Sequence, residues 1–278
     1  MSDKLSNYSY KLREMVLLSA KCSGDSGTSI ITSSFSCAEI LVSLYIGGVL
    51  RYKSSDPKWQ DRDRVYLSKG HAAPAFYSVL ALAGFISETE AIYSGNRDSI
   101  VGSLLNPQIP GVECTSGSCG NGLGIACGAA YVAKVNRENW LTFCISGDGE
   151  LNEGAMWEAA LFAAQHKLNN LIWIVDRNYM QCSDFTENVL SLERIEDKIA
   201  SFGFAVERVN GHDCGELLET LIKARKRPYN KPICVIADTI KGKGIPEAEN
   251  NQLTHFYMPK ADDIEDIIAT YIKPQMTV

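Results

Sequence analysis

Apolar positions alternate between two spacings along this chain. Leu5, Tyr8, Leu12, Met15, Val16 and Ala20 recur at helical spacing over residues 5–22. Residues 37–46 and 72–82 are apolar nearly all round and read as buried helices. Short, mostly apolar runs at 65–68, 141–145, 171–175, 205–209 and 233–238 read as strands. Further helices are expected at 119–135, 155–167, 216–226 and 262–272. Polar stretches separate these elements: a turn at 23–29 and a loop at 51–64 around Pro57. Strands this apolar, alternating with helices, predict an α/β fold: a doubly wound, mainly parallel sheet flanked by helices. With no repeat and no linker, residues 1–278 read as a single domain.

Composition changes this picture little. The chain is 45% hydrophobic and 22% charged, with a formal net charge of −6. It has no basic run of the kind that binds nucleic acid or an anionic membrane. No apolar run approaches the roughly 18 residues needed to span a bilayer, and the first residues lack a signal-peptide core. A cytoplasmic protein is expected. The nine cysteines include no C-x-x-C pair, and several lie inside apolar runs, as buried reduced thiols do.

Two segments stand out chemically. Residues 94–120 are rich in Gly, Ser, Pro and Asn, and a loop of that length inside a compact domain is usually functional. The glycine-rich start of the following helix suits either an anion near backbone N–H groups or close helix packing. Residues 147–181 form one βαβ unit, with Asp148 just beyond one strand and Asn178 just beyond the next. Both oxygen-bearing side chains then fall at the carboxyl edge of the sheet, where open α/β sheets bind ligands. Hard divalent cations take oxygen ligands and are commonly shared with phosphates.

GDGELNEGAMWEAALFAA followed by KLNNLIWIVDRN resembles the thiamine-diphosphate motif of transketolases. DPKWQDRDRVYLSKGHAAPAFYSVLALAGF at 56–85, PGVECTSGSCGNGLGIACGAA at 110–130 and KPICVIADTIKGKG at 231–244, followed by His255, resemble other segments of that family, in the same order. The likeness is to the N-terminal half of transketolase as a separate subunit, with the thiamine-diphosphate-binding fold. It implies that Asp148, Asn178 and the backbone carbonyl of Met180 hold Mg²⁺ or Ca²⁺. It implies that Gly147, Gly149 and Glu150 lie at the cofactor, and that Ser118, Cys119 and Gly120 line its rings. It implies that His71 and His255 face the diphosphate and the reacting centre as catalytic residues. Lys69 and Lys241 are implied, as weaker candidates, as cations for phosphate or substrate, with Lys241 counted among the cofactor-binding residues. Read without the likeness, His71 also suits a cap or packing role, and His255 a surface position. His166 is given no function, and His212 reads as a turn residue.

The resemblance also implies a partner. In this family a second, pyrimidine-binding domain completes the cofactor site, and the expected assembly is α2β2 with a separate C-terminal-type subunit. Glu153 and Glu158 match glutamates at the family's subunit contact. The implied reaction is transfer of a two-carbon ketol unit from a ketose to an aldehyde. Two positions depart from the pattern. Ser23-Gly24-Asp25 stands where transketolases have Ser-Gly-His, and Asn106-Pro107 where they have His-Pro. An ionised Asp25 cannot donate a hydrogen bond, and Asn106 cannot shuttle protons. An unusual sugar substrate, a 2-oxo-acid decarboxylase or carboligase, and a catalytically inactive cofactor-binding protein are the alternatives these two positions leave.

Overall fold

The computed structural model describes residues 1–23, 31–95, 99–182, 184–255 and 259–276. Helices α1 (Ser2–Ser23), α2 (Ile31–Ser36) and α3 (Ala38–Tyr45) precede strand β1 (Arg64–Leu67). Then come α4 (Ala73–Leu82), α5 (Glu88–Ile92), α6 (Gly122–Val135), β2 (Thr142–Gly147), α7 (Gly154–Gln165) and β3 (Leu171–Arg177). The chain continues through α8 (Thr186–Val189), α9 (Ile195–Ser201), β4 (Ala205–Asn210), α10 (Cys214–Arg225), β5 (Ile233–Asp238) and α11 (Ile264–Ile267). The five strands are all parallel, in the order β1-β2-β3-β5-β4.

Side chains alternate faces along a strand, and here they feed two cores. Phe143, Ile145, Ile172, Ile174 and Val235 face one core, shared with α1, α3, α4 and α10. Cys144, Trp173, Val175, Cys234 and Ile236 face the other, shared with α6, α7 and α9. The sheet is therefore covered on both sides, as the near-continuous apolar strands predict. Trp173 is fully buried and donates its indole N–H to Ser146 Oγ at 2.8 Å, so its polar atom is satisfied. Alanines 126 and 130 on α6 and 159, 160 and 163 on α7 are buried between helix and sheet, allowing close approach.

The register sets up the site. Gly147 pairs with Asp176, and Asp176 with Ala237. The ends of β2, β3 and β5 are therefore level, and the residues just beyond them share one edge. Asp176 itself is buried in a polar clamp. It accepts from Ser36 Oγ at 2.6 Å and from Thr239 Oγ1, and it pairs with the Lys69 ammonium. One carboxylate thus ties α2, the turn after β1 and the loop after β5 to the centre of the sheet.

The structure departs from the periodicity in two respects. The expected helix at 262–272 is a succession of short pieces: α11, a π-helical stretch Ile268–Ile272 and 3-10 turns on either side. Helices α2, α5, α8 and α9 leave no mark in the sequence pattern, being too short for apolar periodicity to register. The turn at 23–29, with Asp25, lies almost wholly outside the described residues; only Ser23 is described, as the last residue of α1. All nine cysteines are free, five of them buried and Cys119 and Cys182 exposed. No helix among the described residues is long and apolar enough to cross a membrane.

Candidate functional site at the carboxyl edge of the sheet

A cavity of about 370 Å³ opens at the level ends of β2, β3 and β5. Its lining includes His71, Cys119, Gly147, Asp148, Gly149, Glu150, Asn178, Met180, Lys241 and His255. Sequence positions from 71 to 255 converge here because each follows a strand or a loop at the same edge. Ser33, Glu153, Gln181 and Cys182 complete the wall.

Asp148 follows β2 and is buried. Its Oδ2 accepts from Tyr179 N at 2.7 Å and from Arg177 Nη1 at 3.0 Å; among the described residues its Oδ1 accepts from Gly149 N alone, at 2.8 Å. Burial pushes the Asp148 carboxyl up to about 6, against the pull of the Arg177 guanidinium. Asn178 turns its amide NH₂ toward Asp176 Oδ2 at 3.4 Å and its carbonyl oxygen toward Met180 N at 3.1 Å. Among the described residues no three His, Cys, Asp or Glu side chains come close enough to cage a metal ion. One carboxylate, one amide oxygen and phosphate oxygens from a ligand would suit a hard cation such as Mg²⁺.

Glu150 braces the loop beneath the cavity. It is buried, and accepts from Gly147 N at 2.9 Å, Gly120 N at 2.8 Å and Ser68 Oγ. Ser68 Oγ also accepts from Gly122 N at 3.2 Å. The N–H of Gly122, the first of α6, and that of Gly120 before it are therefore taken by protein partners, and Gly122 is packed closely on Ser68. A Cβ at Gly122 would sit 2.4 Å from Ser68 Cβ.

The opposite wall is cationic and basic. Lys241 is 1% exposed, and its Nζ lies 2.7 Å from His255 Nδ1. Among the described residues no carboxylate forms an ion pair with it. Burial, with the Lys69 charge nearby, brings Lys241 down to about 8. Burial and the same cations hold His71 down at about 3, and burial with Lys241 holds His255 at about 4. At neutral pH the cavity thus presents one ammonium and two neutral imidazoles, each able to donate one hydrogen bond and accept another. A buried ammonium without a carboxylate calls for an anionic ligand, so the donor set fits a metal-bound diphosphate.

The other positions named from the resemblance lie around this cavity or outside its wall. Ser118 lines a separate cavity of about 670 Å³, with Tyr66, Cys114 and Ile125, and Gly120 has its N–H on Glu150. Lys69 is fully buried, bonded to Ser33 O at 2.9 Å and paired with Asp176, so its charge is neutralised below the cavity. Asn106 holds its own loop, donating to Ile100 O and accepting from Gln108 N, and is not in the cavity wall. Glu158 is exposed on α7, and Glu153 is exposed at the cavity rim. His166 ends α7 and packs against Phe162 and Tyr131. His212 is more than a turn residue. Its Nδ1 lies 3.0 Å from Glu39 Oε2, and its Nε2 accepts from Ile240 N at 2.8 Å, which holds the residue before Lys241. The Glu39 carboxylate can only accept, so the proton sits on Nδ1. Arg177 is the residue at this edge that the motifs leave without a role; its one signal in the sequence is a charge closing an apolar strand.

Residues 15–274 match the family described as transketolase, thiamine diphosphate binding domain. The chain belongs to the transketolase family. It is 38% identical over 257 residues to an apulose-4-phosphate transketolase subunit of Actinobacillus succinogenes, covering 91% of this chain and 90% of that one. The same-named protein of Phocaeicola vulgatus is 35% identical over 238 residues, or 86% and 84% of the two chains. The transketolase of Campylobacter jejuni superposes with a TM-score of 0.83 at 24% identity, over 99% of this chain and 50% of that one. The chain thus spans about half the length of that solved transketolase and most of the length of the two apulose-4-phosphate transketolase subunits.

Proposed function

We propose that this chain is the diphosphate- and metal-binding component of a thiamine-diphosphate-dependent enzyme that transfers a two-carbon ketol unit from a ketose to an aldehyde. The observation that carries the reading is the cavity itself, where Asp148 and Asn178 stand opposite a buried Lys241 that has no carboxylate partner among the described residues. Asp148, Asn178 and the Met180 carbonyl are the candidate metal ligands, and Lys241 is the cation for the diphosphate. His71 and His255, kept neutral by burial, would hold or move a proton next to the reacting carbon. When bound, thiamine diphosphate supplies the carbanion that adds to a carbonyl and then acts as electron sink. Two relatives are named for apulose 4-phosphate, so phosphorylated ketoses are the donors to test first.

The reading includes a partner subunit carrying the pyrimidine-binding domain, in an α2β2 complex. One apolar face supports it. Ile125, Val132 and Val135 on α6 and Leu161 and Phe162 on α7 are exposed, with Val135 61% and Leu161 59% accessible. Gly124, Gly128 and Gly154 on the same helices have nothing within 4 Å of a built Cβ, leaving room for another surface to approach. A clustered exposed apolar patch is a common mark of a protein interface.

The test is reconstitution. The chain, thiamine diphosphate and Mg²⁺ are mixed with and without a C-terminal-type transketolase subunit, and ketol transfer from a ketose phosphate is followed. Activity should require both subunits and be lost in Asp148→Ala along with cofactor retention. Full turnover by the chain alone, or unchanged cofactor affinity in Asp148→Ala, would refute the reading. Release of CO₂ from pyruvate in place of ketol transfer would favour the decarboxylase alternative.

A further inference from the structure

Arg177 is the buried charge at this edge that the cofactor reading does not use. It closes β3, its side chain is fully buried, and its guanidinium lies 4.2 Å from the centroid of the Tyr179 ring. Nη1 donates to Asp148 Oδ2 at 3.0 Å and to Thr186 Oγ1 at 2.6 Å. Nη2 donates to Glu187 Oε1 at 2.9 Å and to Glu193 Oε1 at 2.8 Å. One planar fork therefore joins the candidate metal ligand to two glutamates outside the cavity wall. Lysine, a single point charge, cannot make that set of contacts.

The geometry makes Asp148 one-sided. Arg177 and Tyr179 N both hold Oδ2, and Oδ1 keeps acceptor capacity beyond its bond to Gly149 N, its one partner among the described residues. The charge balance matters equally. A guanidinium 3.0 Å behind the ligand carboxylate opposes a divalent cation in front of it. Glu187 and Glu193, each 35% exposed, offset that charge from the other end of the fork. Glu193 also faces Arg208 Nη1 at 3.8 Å, so it is shared, whereas Glu187 pairs with Arg177 alone among the described residues. Resting on the cofactor reading above, we propose that Arg177 is a positioning residue for the metal ligand Asp148, and that Glu187 and Glu193 set how tightly the site holds its cation.

The experiment titrates the chain with Mn²⁺ in the presence of inorganic diphosphate, reading protein-bound Mn²⁺ by equilibrium dialysis against the same Mn²⁺–diphosphate buffer. The variants are Asp148→Asn, Arg177→Lys, Glu193→Gln and Glu187→Gln/Glu193→Gln. At Glu193, glutamine keeps the acceptor oxygen for Arg177 and removes the charge, so a purely structural latch would survive it; at Glu187, where both oxygens accept, it also removes one acceptor, and the single Glu193→Gln variant is the cleaner test of charge. The double variant should bind Mn²⁺ about 10-fold more weakly, and Arg177→Lys about 10- to 100-fold more weakly. Glu193→Gln should fall between wild type and the double variant, and keeps the test open if the double variant melts at the assay temperature. Affinity unchanged in a folded glutamine variant would overturn the proposal while leaving the cofactor reading intact. Absence of Mn²⁺ binding by the wild-type chain, or binding unaffected by Asp148→Asn, would overturn the cofactor reading and this proposal with it.

Discussion

Replacing Lys241 with methionine separates what this residue does for the fold from what it does for the ligand. An ammonium held at about 8 in place of its ordinary 10.5 costs the empty fold about 3 kcal/mol at pH 7. The sign follows from the depressed value. The folded state binds the proton less tightly than the unfolded chain does, so the penalty is complete below pH 8 and fades as the pH rises toward 10.5. Methionine keeps most of the buried stem and removes the charge. It also removes the contact with His255 Nδ1 at 2.7 Å, a loss of about 1 kcal/mol. The net expectation is a ligand-free protein about 2 kcal/mol more stable at pH 7. For 278 residues that is a rise in Tm of about 3–4 °C. Thiamine diphosphate affinity, measured with Mg²⁺ by calorimetry on the complex with the proposed partner subunit, should fall about 10- to 100-fold, the worth of one charged hydrogen bond. The stability gain should shrink to less than half when the melt is repeated at about pH 9.5. A variant that melts lower than wild type at pH 7, or binds the diphosphate equally well, would show that Lys241 is a structural cation and not the ligand's partner.

Three further outcomes follow from the same structure. Glu150→Gln should lose about 2–3 kcal/mol in urea unfolding, because an amide can accept on one atom only, and the Gly147 and Gly120 N–H groups are bound by different oxygens; a loss below about 1 kcal/mol would contradict the bracing role. His71 and His255, held at about 3 and about 4, contribute stability that is present above their ordinary value of 6.5 and is lost as pH falls from 6.5 toward 4; the Tm of the empty chain should drop over that window, and drop less in His71→Gln. Val132→Glu and Leu161→Glu lie on the exposed apolar face of α6 and α7; they should leave the melting of the isolated chain within about 0.5 kcal/mol of wild type while abolishing co-elution with the proposed partner subunit, and intact co-elution would move the proposed interface elsewhere.

Much of the site is legible in sequence for a simple reason. Apolar runs mark where parallel strands end, and whatever follows a strand must lie on the carboxyl edge. Asp148, Asn178 and Lys241 follow β2, β3 and β5, so their convergence needs only the strand assignment and the parallel topology. The same reasoning does not reach residues carried by loops and short turns. His255 follows a 3-10 turn, Gln252–Thr254, that no periodicity marks, and its place in the cavity depends on how that turn folds back over β5. The short helices α8 and α9 likewise have too few turns to show a period, though α8 and the segment after it carry Glu187 and Glu193 to Arg177.

Lys69 and Lys241 show the boundary between the two kinds of information. Each is a lysine followed by glycine just past a strand, and local sequence offers nothing to tell them apart. The strand register decides, by setting Asp176 where Lys69 reaches it and leaving Lys241 beside His255 and the cavity. Glu150 belongs to the same class, since its three partners come from residues 68, 120 and 147, and only the packed fold brings them to one carboxylate. What this sequence determines by itself is the order of the strands and the longer helices, the edge on which the chemistry gathers, and the family. What only the tertiary structure decides is which charges there are already neutralised by the fold and which remain for a ligand, because charge pairing depends on distances across the sheet that no local pattern contains.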